Sequence, residues 1–167
     1  MGTAMPLLRS LIYAALFVGT LAVVIPGWIV GARGTDLGAA ALARWPSLLF
    51  LVPGALLCAW CVWDFSGAGR GTPAPFDPPR RLVVRGPYRF VRNPMYIGFL
   101  LVLVGEAALT ASAGLLAYCA VVALALHVFV VSYEERALLR RFGESYQRYC
   151  HHVRRWLPGS PCHGEGP

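Results

Sequence analysis

The chain has 167 residues, 57% of them hydrophobic and only 14% charged, with a mean hydropathy of +0.57. So few polar residues cannot cover a soluble domain, and so much apolar content at so little charge excludes a disordered chain. Five cysteines are too sparse for a disulfide scaffold, and the +7 charge, carried by arginine without lysine, points in a membrane protein to orientation and anionic headgroups, not to nucleic acid.

These exclusions leave an all-α polytopic membrane protein of about four transmembrane helices. The first apolar stretch, Ser10 to Ala32, has no charge over 23 residues. That length crosses a hydrocarbon core of roughly 30 Å and exceeds the apolar region of a signal peptide, so it is read as a retained span. The second, Trp45 to Trp63, carries tryptophan at both ends, where interfacial aromatics belong. Pro26 and Pro53 predict kinks inside these spans.

Residues 67–80 read as a Pro/Gly-rich cytoplasmic linker. Beyond it, Gly86-Pro87 signals a turn and Asn93 precedes Pro94 as a candidate cap of the third helix, which runs to about Leu109 and carries Glu106. After the small-residue turn from Thr110 to Gly114, a fourth stretch is uncharged to Tyr133. It then passes, without a Gly or Pro stop, into the amphipathic run Glu134 to Phe142. Residues 1–66 are thus a two-span region, 81–158 a two-span core with a cytoplasmic catalytic loop and a C-terminal amphipathic helix, and 159–167 a tail expected to be disordered.

Six arginines fall at 70, 80, 81, 85, 89 and 92, and six more at 136, 140, 141, 148, 154 and 155. Two spans separate the groups, so both lie on one side, and the positive-inside tendency makes that side cytoplasmic. Arginines alone would serve topology and touch lipid phosphates. Topology does not require Tyr88, Arg89 and Arg92 interleaved between Pro87 and Pro94, and this turn delivers Tyr88, Arg89, Arg92 and Asn93 to the mouth of the third span. On the last helix, His127 and Glu134 are seven apart and share a face of a regular α-helix, His127 about 10 Å deeper. A histidine inside a membrane helix needs a partner, for which Glu106 is the candidate. Glu134 and Glu135 point about 100° apart, so one of the two is expected to face a site.

The run Arg85-Gly86-Pro87-Tyr88-Arg89-Phe90-Val91-Arg92-Asn93-Pro94-Met95-Tyr96-Ile97-Gly98 resembles the GPYR-x-VR-[HN]-P-x-Y-x-G signature of integral membrane methyltransferases, the isoprenylcysteine carboxyl methyltransferase and phospholipid methyltransferase group. His127, Tyr133-Glu134-Glu135, Phe142-Gly143-Glu144 and Val153-Arg154-Arg155-Trp156-Leu157-Pro158 are similar to its C-terminal core, so the resemblance spans residues 81–158. It implies S-adenosyl-L-methionine as methyl donor and a lipid or prenylated small molecule as acceptor, a prenylcysteine-type carboxylate or a phospholipid amine. It also implies a multi-pass protein with its active site facing the cytoplasm. Some members carry His at the position of Asn93, and Asn supplies hydrogen bonds but no proton acceptor there.

The donor's sulfonium favours carboxylates and aromatic faces, and its aminoacyl carboxylate favours an arginine fork. Arg92 and Glu134 are the candidate orienting groups, with Gly86, Tyr88, Arg89, Asn93, Pro94, Tyr96, His127 and Glu135 as the expected cofactor-binding set. No metal is expected: Cys150-His151-His152 with Cys162-His163 fits no standard zinc spacing, and Cys58 with Cys61 reads as packing within a span. The competing reading is a small multi-span transporter or scaffold built on an intramembrane His127–Glu106 pair. That reading places polar residues near the midplane of repeated halves, whereas here they gather at one mouth and no repeat is found.

Overall fold

The computed structural model describes residues 19–31, 45–64 and 82–159. The expected linker at 67–80, the tail from 160, the beginning of the first span and the arginines at 9, 33, 44, 70, 80 and 81 lie outside them. Among the described residues the chain is all-helical, with one isolated parallel bridge, Val91 to Arg154, and no strand.

The described part of the first apolar stretch enters a wide π turn, Thr20–Val24, in which the Ile25 amide donates to the Thr20 carbonyl, and continues as α1, Ile25–Gly31. Pro26 gives the physical reason for the change in winding. It has no amide, and its ring crowds the preceding turn, so the predicted kink takes the form of a widened turn. α2, Leu48–Asp64, tolerates Pro53 within it, and with the short turn before it forms an apolar helix Trp45–Asp64. Trp45 and Trp63, near its two ends, are exposed.

α3 is Pro94–Thr110, closed by Ala111 in the left-handed region at φ 49°. Ser112 then caps the next helix by accepting from the Leu115 amide at 3.2 Å. That helix, α4 (Ala113–Phe129), runs through a π turn, Val130–Glu134, into α5 (Glu135–Phe142). Together they make one unbroken helix, Ala113–Phe142, so the expected continuation beyond the apolar stretch is observed. Gly143, at φ 52°, redirects the chain into α6, Glu144–His152.

Among the described residues two helices, Trp45–Asp64 and Ala113–Phe142, are long and apolar enough to cross a membrane, while the other two expected spans are represented there by shorter apolar helices, Thr20–Gly31 and Pro94–Thr110. Large apolar side chains such as Leu49, Leu56, Trp60, Leu116, Val121, Leu124 and Val128 point outward. A monomer in water would not present such a surface, and a lipid environment suits it. Inside, Phe99, Leu103 and Ala107 of α3 pack on Leu115, Cys119, Val122 and Leu126 of α4 and on Ala22 beside α1.

α2 and α3 cross through glycines. A Cβ on Gly54 would lie 2.7 Å from the Gly98 carbonyl oxygen, one on Gly98 would lie 2.9 Å from both Cys58 Sγ and the Gly54 carbonyl, and one on Gly105 would lie 2.6 Å from Leu51 Cγ. Backbones thus meet where lipid offers no hydrophobic drive to hold them, and dispersion and close approach take over. We expect Gly98→Leu to lower stability by at least about 1–3 kcal/mol, because the obstructing atoms include backbone. Gly27→Ala, where nothing lies within 4 Å of the new Cβ, serves as a near-neutral control. Thermal unfolding in detergent measures both.

Candidate functional site

The site is assembled where the turn before α3, the exit of the long helix and the segment after α6 meet. The turn is a 3-10 helix, Gly86–Arg89, entered through Gly86 at φ 49°. Glycine is required there twice over: by the left-handed backbone, and because a Cβ would run into the Asp64 carboxylate and lie 2.8 Å from Trp60 Nε1. Pro87 and Tyr88 are buried, and Tyr88 packs with Cys61 and Val83. Its hydroxyl hydrogen-bonds Cys61, and burial pushes it well above the ordinary tyrosine range. The Tyr88 carbonyl accepts from Tyr149 Oη at 2.7 Å. Tyr88 therefore anchors the turn from below.

The segment following α6 lies across this turn as a strap. The Arg92 amide donates to the Arg154 carbonyl at 2.9 Å, the Gly159 amide to the Phe90 carbonyl at 3.0 Å, and Asn93 Nδ2 to the Arg155 carbonyl at 3.2 Å. Asn93 does occupy the cap position of α3, but its side chain makes no capping bond, and Pro94 fills the first turn. The expected cap is corrected accordingly: the Asn93 side chain is turned to the strap and leaves the amides of the first turn of α3 without it. Beneath, Tyr146, Tyr149 and Val153 form a small core with Leu82 and Val84.

The charged groups converge from opposite sides. Arg92 Nη1 donates to Glu135 Oε1 and to Cys150 Sγ, both at 3.0 Å. Arg155 grips the same carboxylate with Nε on Oε1 at 2.7 Å and Nη2 on Oε2 at 2.9 Å. Glu135 is thus held by two guanidinium groups, while Glu134 Oε2 accepts from Tyr96 Oη at 3.0 Å and, among the described residues, no arginine pairs with it. Arg92 Nε is buried without a hydrogen-bond partner. Both glutamates are engaged, where adjacency leads one to expect a single inward one. The π turn at Val130–Glu134 gives the helix an irregular winding just there.

The expected set is only partly gathered. Arg92, Asn93, Tyr96, Glu134 and Glu135 come together, with Gly86, Pro94 and Tyr88 behind them as backbone and packing elements and Arg89 in the last turn of the 3-10 helix. His127 does not join them. The seven-residue spacing presumes regular winding, which the π turn interrupts; His127 is exposed and its Nδ1 accepts from Trp156 Nε1 at 3.1 Å. It does not pair with Glu106, whose buried Oε2 has no hydrogen-bond partner. The paired motif behind the transporter reading is therefore not formed. Cys58 Sγ donates to the Met95 carbonyl at 3.7 Å and Cys61 is fully buried, as packing residues would be. Sequence reasoning assigns no role to Arg155, Trp156 or Cys150; their placement at the end of α6 and just after it gives no cue that the strap doubles back.

A family model described as phospholipid methyltransferase matches residues 42–145, from the start of the second apolar helix into the beginning of α6. No curated protein and no solved structure matches the chain. The match covers more than half of the sequence and includes the turn, α3 and the Glu134–Glu135 exit, and on it the chain belongs to the phospholipid methyltransferase family, a family of methyltransferases.

Proposed function

We propose that the protein transfers a methyl group from S-adenosyl-L-methionine to a lipid-like acceptor at the cytoplasmic face of the membrane, with residues 81–158 as the catalytic core. One observation carries this reading: a guanidinium whose buried Nε–H has no partner, on Arg92, stands in the same charged cluster as a carboxylate with which, among the described residues, no arginine pairs, on Glu134. A zwitterionic donor presents the complementary pair, an aminoacyl carboxylate and cationic groups. When bound, S-adenosyl-L-methionine supplies an electrophilic methyl on a sulfonium, whose sulfur departs as a neutral thioether.

In this reading Arg92 binds the donor's carboxylate through a charge-assisted hydrogen bond. Glu134, oriented by Tyr96, faces the positive charge, which the aromatic ring of Tyr96 also favours. Glu135 builds the wall by holding Arg92 and Arg155. Tyr88, Gly86, Asn93 and Pro94 fix the turn, and Arg89 lies beside it. Because the displacement is in-line, the chief contribution of these residues is orientation and exclusion of water. The family match favours a phospholipid amine over a prenylcysteine carboxylate. Such an amine must reach the donor as its free base.

Equilibrium binding of labelled S-adenosyl-L-methionine to detergent-purified protein, followed by methyl transfer to a membrane lipid extract, tests the proposal. We expect micromolar to sub-millimolar donor affinity and labelled lipid. Glu134→Gln keeps an oxygen for Tyr96 but loses the charge, and we expect about a tenfold or greater loss of donor affinity with unfolding temperature unchanged. No binding by the wild-type protein at millimolar donor would remove the reading.

A further inference from the structure

Outside the donor cluster, α4 carries a polar side chain on an otherwise apolar flank. His127 is exposed, and so are Leu124, Val128 and Val131, its neighbours three before, one after and four after along the helix. An imidazole on such a face is unfavourable in lipid unless both nitrogens find partners. Nδ1 has one: it accepts from Trp156 Nε1 at 3.1 Å, with the rings 6.1 Å apart. The indole nitrogen is a donor only, so Nδ1 presents its lone pair and the ring proton sits on Nε2. Among the described residues nothing hydrogen-bonds Nε2.

The consequence is chemical. In this tautomer the outward edge of His127 is a donor, suited to an anionic or carbonyl oxygen and unsuited to an ammonium or to accepting a proton. Trp156 is itself the kind of residue that settles at the boundary between acyl chains and headgroups. Trp156 directly follows Arg155, whose fork grips Glu135, so the partner of His127 adjoins the charged cluster along the chain.

We propose that His127 Nε2–H, fixed in this tautomer by Trp156, hydrogen-bonds a phosphodiester oxygen of the acceptor phospholipid and selects acceptors that carry one. Trp156 is the positioning residue. The inference rests on the methyl-transfer reading for the class of acceptor, and it moves His127 from the donor's site to the acceptor's.

The test uses the full chain in detergent micelles with 15N-labelled histidine, the His127 signals being assigned by their loss in His127→Gln. Three probes are added without methyl donor: a diacyl phosphatidylethanolamine, its ether-linked analogue lacking ester carbonyls, and hexadecylamine, which lacks phosphate. We expect the Nε2–H tautomer in the free protein, a downfield shift of that proton with both phosphatidylethanolamines and none with hexadecylamine. Trp156→Phe should give a mixture of tautomers. In turnover, His127→Ala should raise the acceptor KM about tenfold, the loss of one hydrogen bond to a charged group, with kcat and donor affinity unchanged. His127→Gln, which can still donate, should recover most of that loss.

A proton found on Nδ1, a shift with the alkylamine as well, a shift with the diacyl lipid alone, or no shift with either phospholipid overturns the proposal. Since the shift needs no methyl donor, a protein that shows it yet binds no S-adenosyl-L-methionine keeps the phosphate contact and loses the methyl-transfer reading. A protein that binds the donor and shows no shift does the reverse.

Discussion

Replacing Arg92 with alanine is expected to lower affinity for S-adenosyl-L-methionine by ten- to a hundredfold while leaving the fold largely intact. A hydrogen bond between charged groups contributes about 1.5–3 kcal/mol, and each 1.4 kcal/mol is a factor of ten in binding. The fold survives because the connections of Arg92 are duplicated. Glu135 keeps the fork of Arg155 at 2.7 and 2.9 Å, and the bond from residue 92 to the strap, 2.9 Å to the Arg154 carbonyl, is made by backbone that alanine retains. Arg92→Lys should restore charge without the planar fork and recover only part of the affinity. Labelled-donor binding and thermal unfolding, run side by side, separate the two effects. Wild-type donor affinity in Arg92→Ala would remove this residue from the site.

How much of this was legible in the sequence depended on whether the governing interactions were local. The turn at Gly86-Pro87, the helix opening at Pro94 and the uninterrupted run through Tyr133 into Phe142 follow from glycine, proline and periodicity, and each is observed. The convergence of Arg92 and Tyr96 on Glu135 and Glu134 was anticipated through the family resemblance, since 38 to 43 residues separate the partners. Three features escaped because their causes are non-local or depend on irregular winding. The π turn at Val130–Glu134 upsets the face shared by His127 and Glu134. Asn93 ties down the strap where a cap was expected, a choice available only once Arg155 lies beside it. Arg155 and Trp156 acquire partners only when the segment after α6 folds back, which its composition does not announce.

Removing the carboxylate of Glu135 should do the opposite of removing Arg92: a large loss of stability, with donor binding failing as its consequence. Arg92 and Arg155 both rest on this one side chain, and their side chains are 14% and 31% exposed against 19% for Glu135. Breaking a fully buried pair from one side costs about 3–5 kcal/mol, chiefly through the charge left behind; partial exposure reduces that, so we expect about 2–3 kcal/mol for Glu135→Ala. Arg155→Ala should cost less, about 1 kcal/mol, since Glu135 still holds Arg92. The loss should be localised: amide hydrogen exchange should rise at Val91–Asn93 and Val153–Gly159, where the strap crosses the turn, and not at Phe99–Ala107 in the α3 core. Glu134→Gln should change none of these amides. The pair of adjacent glutamates is then divided by measurement, one acting on the donor and the other on the wall that holds Arg92 toward it. Equal exchange and equal unfolding temperatures in Glu134→Gln and Glu135→Ala would show that the division is wrong.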